Sequence, residues 1–265
     1  MFRFGFFKQL TKNIDFMDNK IKIAVLTGSG ISSESGIPTF RDAGVGLWEN
    51  FDIKSVCTHD AWIKNQLYVN NFYNMLRVEY INCQPNDGHK LIAELEKDDR
   101  FELTVITQNV DNLHEKAGSK NIIHLHGEIM KCCAEDDVED ENYWVTLPQE
   151  GFGENGLEIP EDKLAGDGKK GLLRPYIVLF EEPVPRITDA ISVVEDADIF
   201  LVVGTSLTVY PAASLLYYTK DDCEIYIVDP NDVESNVKSN YDFIHIKKTG
   251  SEGMREFIEI LNKKY

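Results

Sequence analysis

Apolar residues along the chain fall into short, β-branched runs separated by longer stretches of helical spacing. The first run, Ile21 with Ile23, Ala24, Val25 and Leu26, is continuous rather than alternating. That is the pattern of a strand buried on both faces of a parallel sheet. Similar runs predict strands at 101–107, 176–180, 198–204, 224–228 and 241–247. A further strand is predicted over 121–127, where His124 and His126 alternate with Ile123 and Leu125 and share a face. Helices are expected over 58–80, 89–97, 187–197, 211–219 and 251–261, with a leading helix or arm over residues 1–20. Strands alternating with helices in this way predict an α/β fold with a Rossmann-like, doubly wound parallel sheet.

The breaks between these elements carry the candidate chemistry. The first strand stops at Gly28-Ser29-Gly30, where glycines permit a tight bend and close approach of a ligand, and 31–35 can open a helix whose free N–H groups attract phosphate. The spacing is not G-x-G-x-x-G, since the third glycine is Gly36, and no Lys-Ser/Thr of a P-loop follows. On spacing alone a phosphate cradle and a plain strand-to-helix turn are both open. Gln108, Asn109 and Asp111 cluster after the 101–107 strand, at the edge of an open α/β sheet where ligands bind. His126 could be a structural histidine or a general base. Asp229, closing the 224–228 strand, could accept both ribose hydroxyls of NAD or simply form the turn before Pro230.

Composition narrows the classes. The 265 residues suffice for one large domain or one with a smaller insert, and 45 acidic against 27 basic side chains give a formal charge of −18. Such a balance argues against nucleic acid as a partner. No apolar stretch is long enough to span a bilayer and no secretory h-region forms, so no membrane is expected and a cytoplasmic location is. The five cysteines are odd in number and irregularly spaced, which fits reduced thiols. Between 131 and 170 the acidic run EDDVEDE and scattered glycines read as a loose insert, and the run lacks the ligand alternation of an EF-hand.

Five motifs occur in one order: Gly28-Ser-Gly-Ile-Ser32, Glu34-Ser-Gly-Ile-Pro-Thr-Phe-Arg41, Thr107-Gln-Asn-Val-Asp111, His124-Leu-His-Gly127 and Gly204-Thr-Ser-Leu207. Together they resemble the sirtuin family. The resemblance implies an NAD-binding domain from 21–39, 89–127 and 174–265, a smaller helical and insert domain from 40–88 and 128–173, and a substrate cleft between them. It implies an NAD-dependent protein-lysine deacylase acting on an acyl-lysine protein or peptide and releasing nicotinamide and O-acyl-ADP-ribose. His126, with Asn109 and Asp111, would be catalytic. Gly28, Ser29, Gly30, Ile31, Phe40, Arg41, Gln108, Gly204, Thr205, Ser206 and Asp229 would hold NAD, and Tyr73, Val178, Leu179 and Phe180 would meet the substrate.

Three departures from the family pattern stand out. Members commonly hold zinc through two Cys-x-x-Cys pairs after the catalytic histidine, whereas this chain has only Cys132-Cys133 there, so no zinc is expected. Glu181 stands in place of the glycine of Phe-Gly-Glu, adding bulk and charge where a substrate strand would approach. Tyr73 is followed by Leu76 where Tyr-x-x-Arg would read an acidic acyl group, and Arg77 is turned by about 100° on a helix, which favours neutral acyl groups. The sequence leaves two alternatives open: an NAD hydrolase or ADP-ribosyltransferase, and a non-catalytic NAD or ADP-ribose sensor.

Overall fold

The computed structural model describes residues 20–39, 52–134, 138, 144–147, 173–237 and 241–265. Its centre is a six-stranded sheet in the order β3-β2-β1-β7-β8-β9. The strands are β1 (Ile21–Thr27), β2 (Phe101–Thr107), β3 (Ile122–His124), β7 (Ile199–Val203), β8 (Glu224–Val228) and β9 (Ile244–Ile246), and every adjacent pair is parallel. Strand order reverses between β1 and β7, so their carboxyl ends, Thr27 and Val203, lie side by side and open the crevice where ligands bind in such folds.

Each continuous apolar run is explained by a core on both faces. Ala24, Leu26, Phe200, Val202, Ile225 and Ile227 pack on one side against Ala190 and Val194 of α7 (Ile187–Asp196). Ile23, Val25, Leu103, Leu201 and Val203 pack on the other against Ile92 of α5 (Asp87–Leu95) and Met254, Phe257 and Leu261 of α8 (Gly250–Lys264). A strand with a core on both faces must be apolar at every position.

A second unit surrounds a smaller antiparallel sheet, β5-β4-β6, of β4 (Gly127–Cys133), β5 (Val145–Thr146) and β6 (Arg174–Ile177). Helices α2 (Ile53–Val56), α3 (His59–Lys64) and α4 (Gln66–Asn82) share its core, in which Trp62, Phe72 and Leu76 meet Ile129, Ile177 and Leu179.

Several boundaries differ from the sequence expectation. The 58–80 helix is two helices, broken at Asn65, whose side chain accepts from Tyr68 N and caps α4. The 121–127 strand ends at His124, because Gly127 turns with φ 86° to begin β4, a strand not expected in the 128–173 insert. The 176–180 strand is β6 at Arg174–Ile177, and it pairs with β4 instead of continuing the large sheet. The 211–219 segment is a 3-10 helix over Ala212–Tyr218, and the 241–247 strand is cut to Ile244–Ile246. The helix expected at 31–35 is α1 (Ser29–Ser33). All but the last residue of the 1–20 helix or arm, Phe40, Arg41 and most of 135–172 lie outside the described residues, and no described helix is long and apolar enough to cross a membrane.

Gly204 has φ 63°, and a Cβ there would stand 2.3 Å from Ile31 N and 2.6 Å from Gly30 C. Gly204→Ala is therefore expected to lower the unfolding free energy by about 2–4 kcal/mol, seen as a fall in the urea midpoint at constant m-value.

Candidate active site

The glycine turn sits at the switch point. Gly28 N donates to Val203 O (3.1 Å) and Gly30 N to Gly204 O (2.8 Å), so the turns after β1 and β7 run in direct backbone contact. A Cβ on Gly28 would lie 2.6 Å from Thr205 Cβ, and one on Gly30 2.7 Å from Gly204 Cα. Side chains at these positions would force the two turns apart. Ile31 and Ser32 of α1 are buried beneath the turn, and Asn86 Nδ2 donates to Ile31 O at 2.7 Å from the start of α5.

Behind the turn lies a buried polar rack. Ser32 Oγ donates to Asp111 Oδ2 (2.9 Å) and accepts from Asn109 Nδ2 (3.1 Å), which also donates to Gly28 O (3.1 Å). With its own proton committed to Asp111, Ser32 Oγ can only accept from His89 Nε2 at 3.4 Å. Thr27 Oγ1 donates to Thr107 Oγ1 (2.9 Å) and faces His114 Nε2 at 3.0 Å. The two imidazoles stack edge-on with centroids 4.9 Å apart, and their Nδ1 atoms have no hydrogen-bond partner among the described residues. Burial pushes His89 down to about 4 and His114 well below the ordinary imidazole value. Burial raises the Asp111 carboxyl, against the Leu113 N–H and Ser32 hydroxyl bonds that favour its charge.

His126 follows β3, half-buried, with Nδ1 2.9 Å from Gln108 O. A carbonyl only accepts, so Nδ1 carries the proton and Nε2 keeps its lone pair. Burial lowers the His126 pKa, offset only by that backbone bond, and the ring is held neutral. Gln108 in turn donates to Thr205 Oγ1 (3.1 Å), tying the loop after β2 to the loop after β7. At the far end, Asp229 Oδ1 accepts from Asn231 N (2.9 Å) and Nδ2 (3.1 Å). One carboxylate oxygen thus forms the turn, and the other takes no hydrogen bond among the described residues. Ser206 Oγ bonds Thr208 Oγ1 at 2.8 Å, and Ser206 O accepts from Asn236 Nδ2 at 2.8 Å.

Val178, Leu179 and Phe180 run from His126 into the small unit: Val178 N donates to His126 O (3.0 Å) and Phe180 N to Cys57 O (2.8 Å), and Phe180 is exposed. Glu181 has φ 77°, the left-handed region that favours glycine, so the backbone keeps a glycine-like bend with a glutamate in it. Glu182 closes the bend. It accepts from Leu179 N (2.8 Å), from both terminal nitrogens of buried Arg174 (2.7 and 2.9 Å) and bonds His59 Nδ1 (2.8 Å). Burial alone would raise the Glu182 carboxyl, but the Arg174 guanidinium and His59 outweigh it and hold it below the usual carboxylate range. Tyr73 is buried in the small core, hydrogen-bonded to the Cys57 thiol, with Leu76 beside it and Arg77 Nε donating to Asn74 Oδ1 (3.2 Å).

His89, His114, Arg174, His59 and Glu182 belong to the site without any motif that assigns them to it, and Ser32 stands in the sequence only as the last residue of Gly28-Ser-Gly-Ile-Ser32. None of these positions has a local pattern that betrays its partner 8 to 123 residues away. Cys132 and Cys133 are both buried, with Cys133 Sγ 3.7 Å from Pro175 O.

The Sir2 family model matches residues 28–211. The chain belongs to the Sir2 family. A relative from Bacteroides thetaiotaomicron named NAD-dependent protein deacylase is 47% identical over 90% of this chain and 97% of its own length. A Helicobacter pylori relative of the same name is 43% identical over 84% of this chain and 88% of its own. Among solved structures, a Sir2 homolog–NAD complex aligns with a TM-score of 0.74 at 33% identity, covering 96% of this chain and 94% of that one. Sir2Tm bound to a propionylated peptide aligns at 0.67 and 26% identity, covering 96% and 99%.

Two outcomes follow for this Sir2 protein. An imidazole depressed to about 4 in the fold is neutral there, while the unfolded chain protonates it near the ordinary value. Stability is therefore full above about pH 6.5 and falls as pH drops toward about 4, with His89 alone contributing up to about 3 kcal/mol. Urea unfolding across that range should show the loss, with a shallower slope in His89→Gln. Glu182→Ala leaves the Arg174 charge buried and unpaired, and it is expected to cost about 3–5 kcal/mol by the same measurement.

Proposed function

We propose that this chain is an NAD-dependent protein-lysine deacylase and that the residues gathered above are its site. The observation that carries the reading is the fixed tautomer of His126, a neutral imidazole whose basic Nε2 is set by the Gln108 carbonyl. Such a group suits proton removal near neutral pH. Bound NAD would supply an ADP-ribosyl group that parts from nicotinamide and, with one water consumed, takes up the acyl group and frees the lysine amine.

The cleft suits a dinucleotide. The glycine turn leaves room at the switch point, because the contact with Gly204 and Thr205 excludes side chains at Gly28 and Gly30 and a ligand can approach the backbone closely. Gln108, Asn109 and Asp111 line its floor, held by Thr205 and Ser32, so they are ordered before any ligand enters. Asp229 keeps one carboxylate oxygen for ribose hydroxyls at the far end, and Thr205 and Ser206 stand for phosphate or ribose. His126 Nε2 takes a proton from a ribose hydroxyl so that the acyl group can move.

On the substrate side, Val178, Leu179 and Phe180 form the edge on which an acyl-lysine peptide lies, fixed by Glu182, with Tyr73 in the wall behind. In this reading the large sheet belongs to the NAD-binding domain and the small sheet, with β6 (Arg174–Ile177) counted in it, to the smaller one, the cleft lying between; a role for Phe40 and Arg41 rests on the sirtuin motif alone. The relatives named NAD-dependent protein deacylase support this reading. With Leu76 after Tyr73, neutral acyl chains are its preferred substrates.

The test is mass spectrometry of acetyl-, propionyl- and succinyl-lysine peptides with NAD, alongside a control without peptide. Deacylated peptide with O-acyl-ADP-ribose is expected, the neutral chains turning over faster. Nicotinamide release that ignores the peptide would replace this reading with NAD hydrolysis. His126→Ala should cut kcat by about 10²–10⁴-fold while NAD still binds by calorimetry.

A further inference from the structure

His124 has no part in the chemistry described so far, yet it is almost fully enclosed. Its side chain is 9% exposed at the end of β3, with the ring between two acceptors. Nε2 lies 2.6 Å from Glu115 Oε1 of α6 (Leu113–Ala117), and Nδ1 lies 3.4 Å from the Asn109 carbonyl oxygen. Two residues on, His126 Nδ1 donates to the carbonyl of Gln108. Alternate residues, His124 closing β3 and His126 beyond it, therefore meet successive carbonyls of one loop, the loop that carries Gln108, Asn109 and Asp111.

A neutral imidazole has one N–H and could satisfy only one of the two oxygens, turning a lone pair against the other. An imidazolium satisfies both. At 3.4 Å a neutral bond to Asn109 O would be weak, whereas a charged donor strengthens it. The charged groups around the ring fit that state. Glu115 on α6 and Glu128 on β4 face it, a carboxylate oxygen of each and a ring nitrogen all within 4.8 Å of one another, and Lys131 pairs with Glu128 at 2.7 Å. Asp111, in the loop, also feels the ring, and His114 on α6 is held neutral by burial.

We propose that His124 is a positioning residue for deacylation: as an imidazolium it clamps the Asn109 carbonyl to Glu115 and so fixes the loop carrying Asn109 and Asp111. The clamp rests on the deacylase reading only for its effect on rate. Burial opposes the charge, but the Glu115 hydrogen bond and the Glu115 and Glu128 charges outweigh it and raise the His124 pKa. His126 is shifted the opposite way by burial. The clamp is thus present at low pH and lost as pH rises through the His124 pKa, while the base is present above the His126 pKa. A bell-shaped kcat profile follows, with the acid limb from His126 and the alkaline limb from His124.

The test compares pH profiles of wild type, Glu115→Gln and His124→Asn. Glu115→Gln keeps an acceptor but removes the charge, and should move the alkaline midpoint down by about one unit with the acid midpoint in place. His124→Asn offers one donor to Asn109 at every pH and should abolish the alkaline limb. His124→Ala should lower kcat by about tenfold with little change in the peptide KM. An alkaline midpoint that is the same in Glu115→Gln and wild type overturns the clamp. Imidazole titration by NMR judges it without turnover. His124 titrating above the ordinary range, and lower in Glu115→Gln, supports it, and titration at or below that range overturns it. A wild type that deacylates no peptide overturns the deacylase reading alone and leaves the NMR result to decide the clamp.

Discussion

The contact on which the site depends is the approach of two backbone turns at the point where strand order reverses. Parallel pairing of β1 with β7 brings Thr27 and Val203 level. The turns beyond them can then meet only if neither carries a side chain, and Gly28, Gly30 and Gly204 meet that condition. With the turns bonded through Gly28 N and Gly30 N, α1 starts at a fixed height and buries Ser32 under the turn. From Ser32 the order passes to Asp111 and Asn109, and from Thr205 to Gln108. A side chain forced in at Gly204 would therefore disturb groups well outside its own contacts.

Much of this was legible in the sequence because its causes are local. The continuous run at Ile21–Thr27 reports burial on both faces, and the glycine turn and the polar cluster at 108–111 mark the ends of strands. Asp229 was open between ribose ligand and turn former, and the structure shows that the turn uses one of its two oxygens. What stayed hidden depends on pairing distant in sequence. That β6 leaves the large sheet to pair with β4 follows from a partner 42 residues away, as between Cys133 and the Pro175 carbonyl, and not from its own apolar composition. The break at Asn65 was masked by the apolar residues on either side, although an asparagine cap followed by a long helical run is a readable signal. His89 and His114 gave no sign, because a histidine that closes a buried network looks like any histidine on a helix.

Glu181 and Glu182 show how one motif can keep its shape while changing a residue. The bend after Phe180 needs a left-handed residue, a conformation glycine adopts freely and glutamate adopts at a cost of order 1 kcal/mol. Glu182, anchored to Arg174, His59 and Leu179 N, holds the bend from the following position and offsets that cost. The substitution at 181 therefore alters the charge beside the Val178–Phe180 edge more than its geometry. Because Arg174 is buried and Glu182 nearly so, the anchor is insensitive to salt where a surface pair would be screened.

The two halves of the site are joined through His126 itself. Its ring bonds back to Gln108 on the large-sheet side, while its carbonyl accepts from Val178 N on the way into the small unit. A shift of the Val178–Phe180 edge, pinned through Phe180 to Cys57 and His59, must move the backbone that carries His126. In the proposed deacylase, substrate contact at that edge and the placing of Nε2 are therefore one mechanical problem. A group that binds the edge without settling it in this register would leave the base misplaced, so selectivity for the acyl-lysine segment falls on the chemical step as well as on binding.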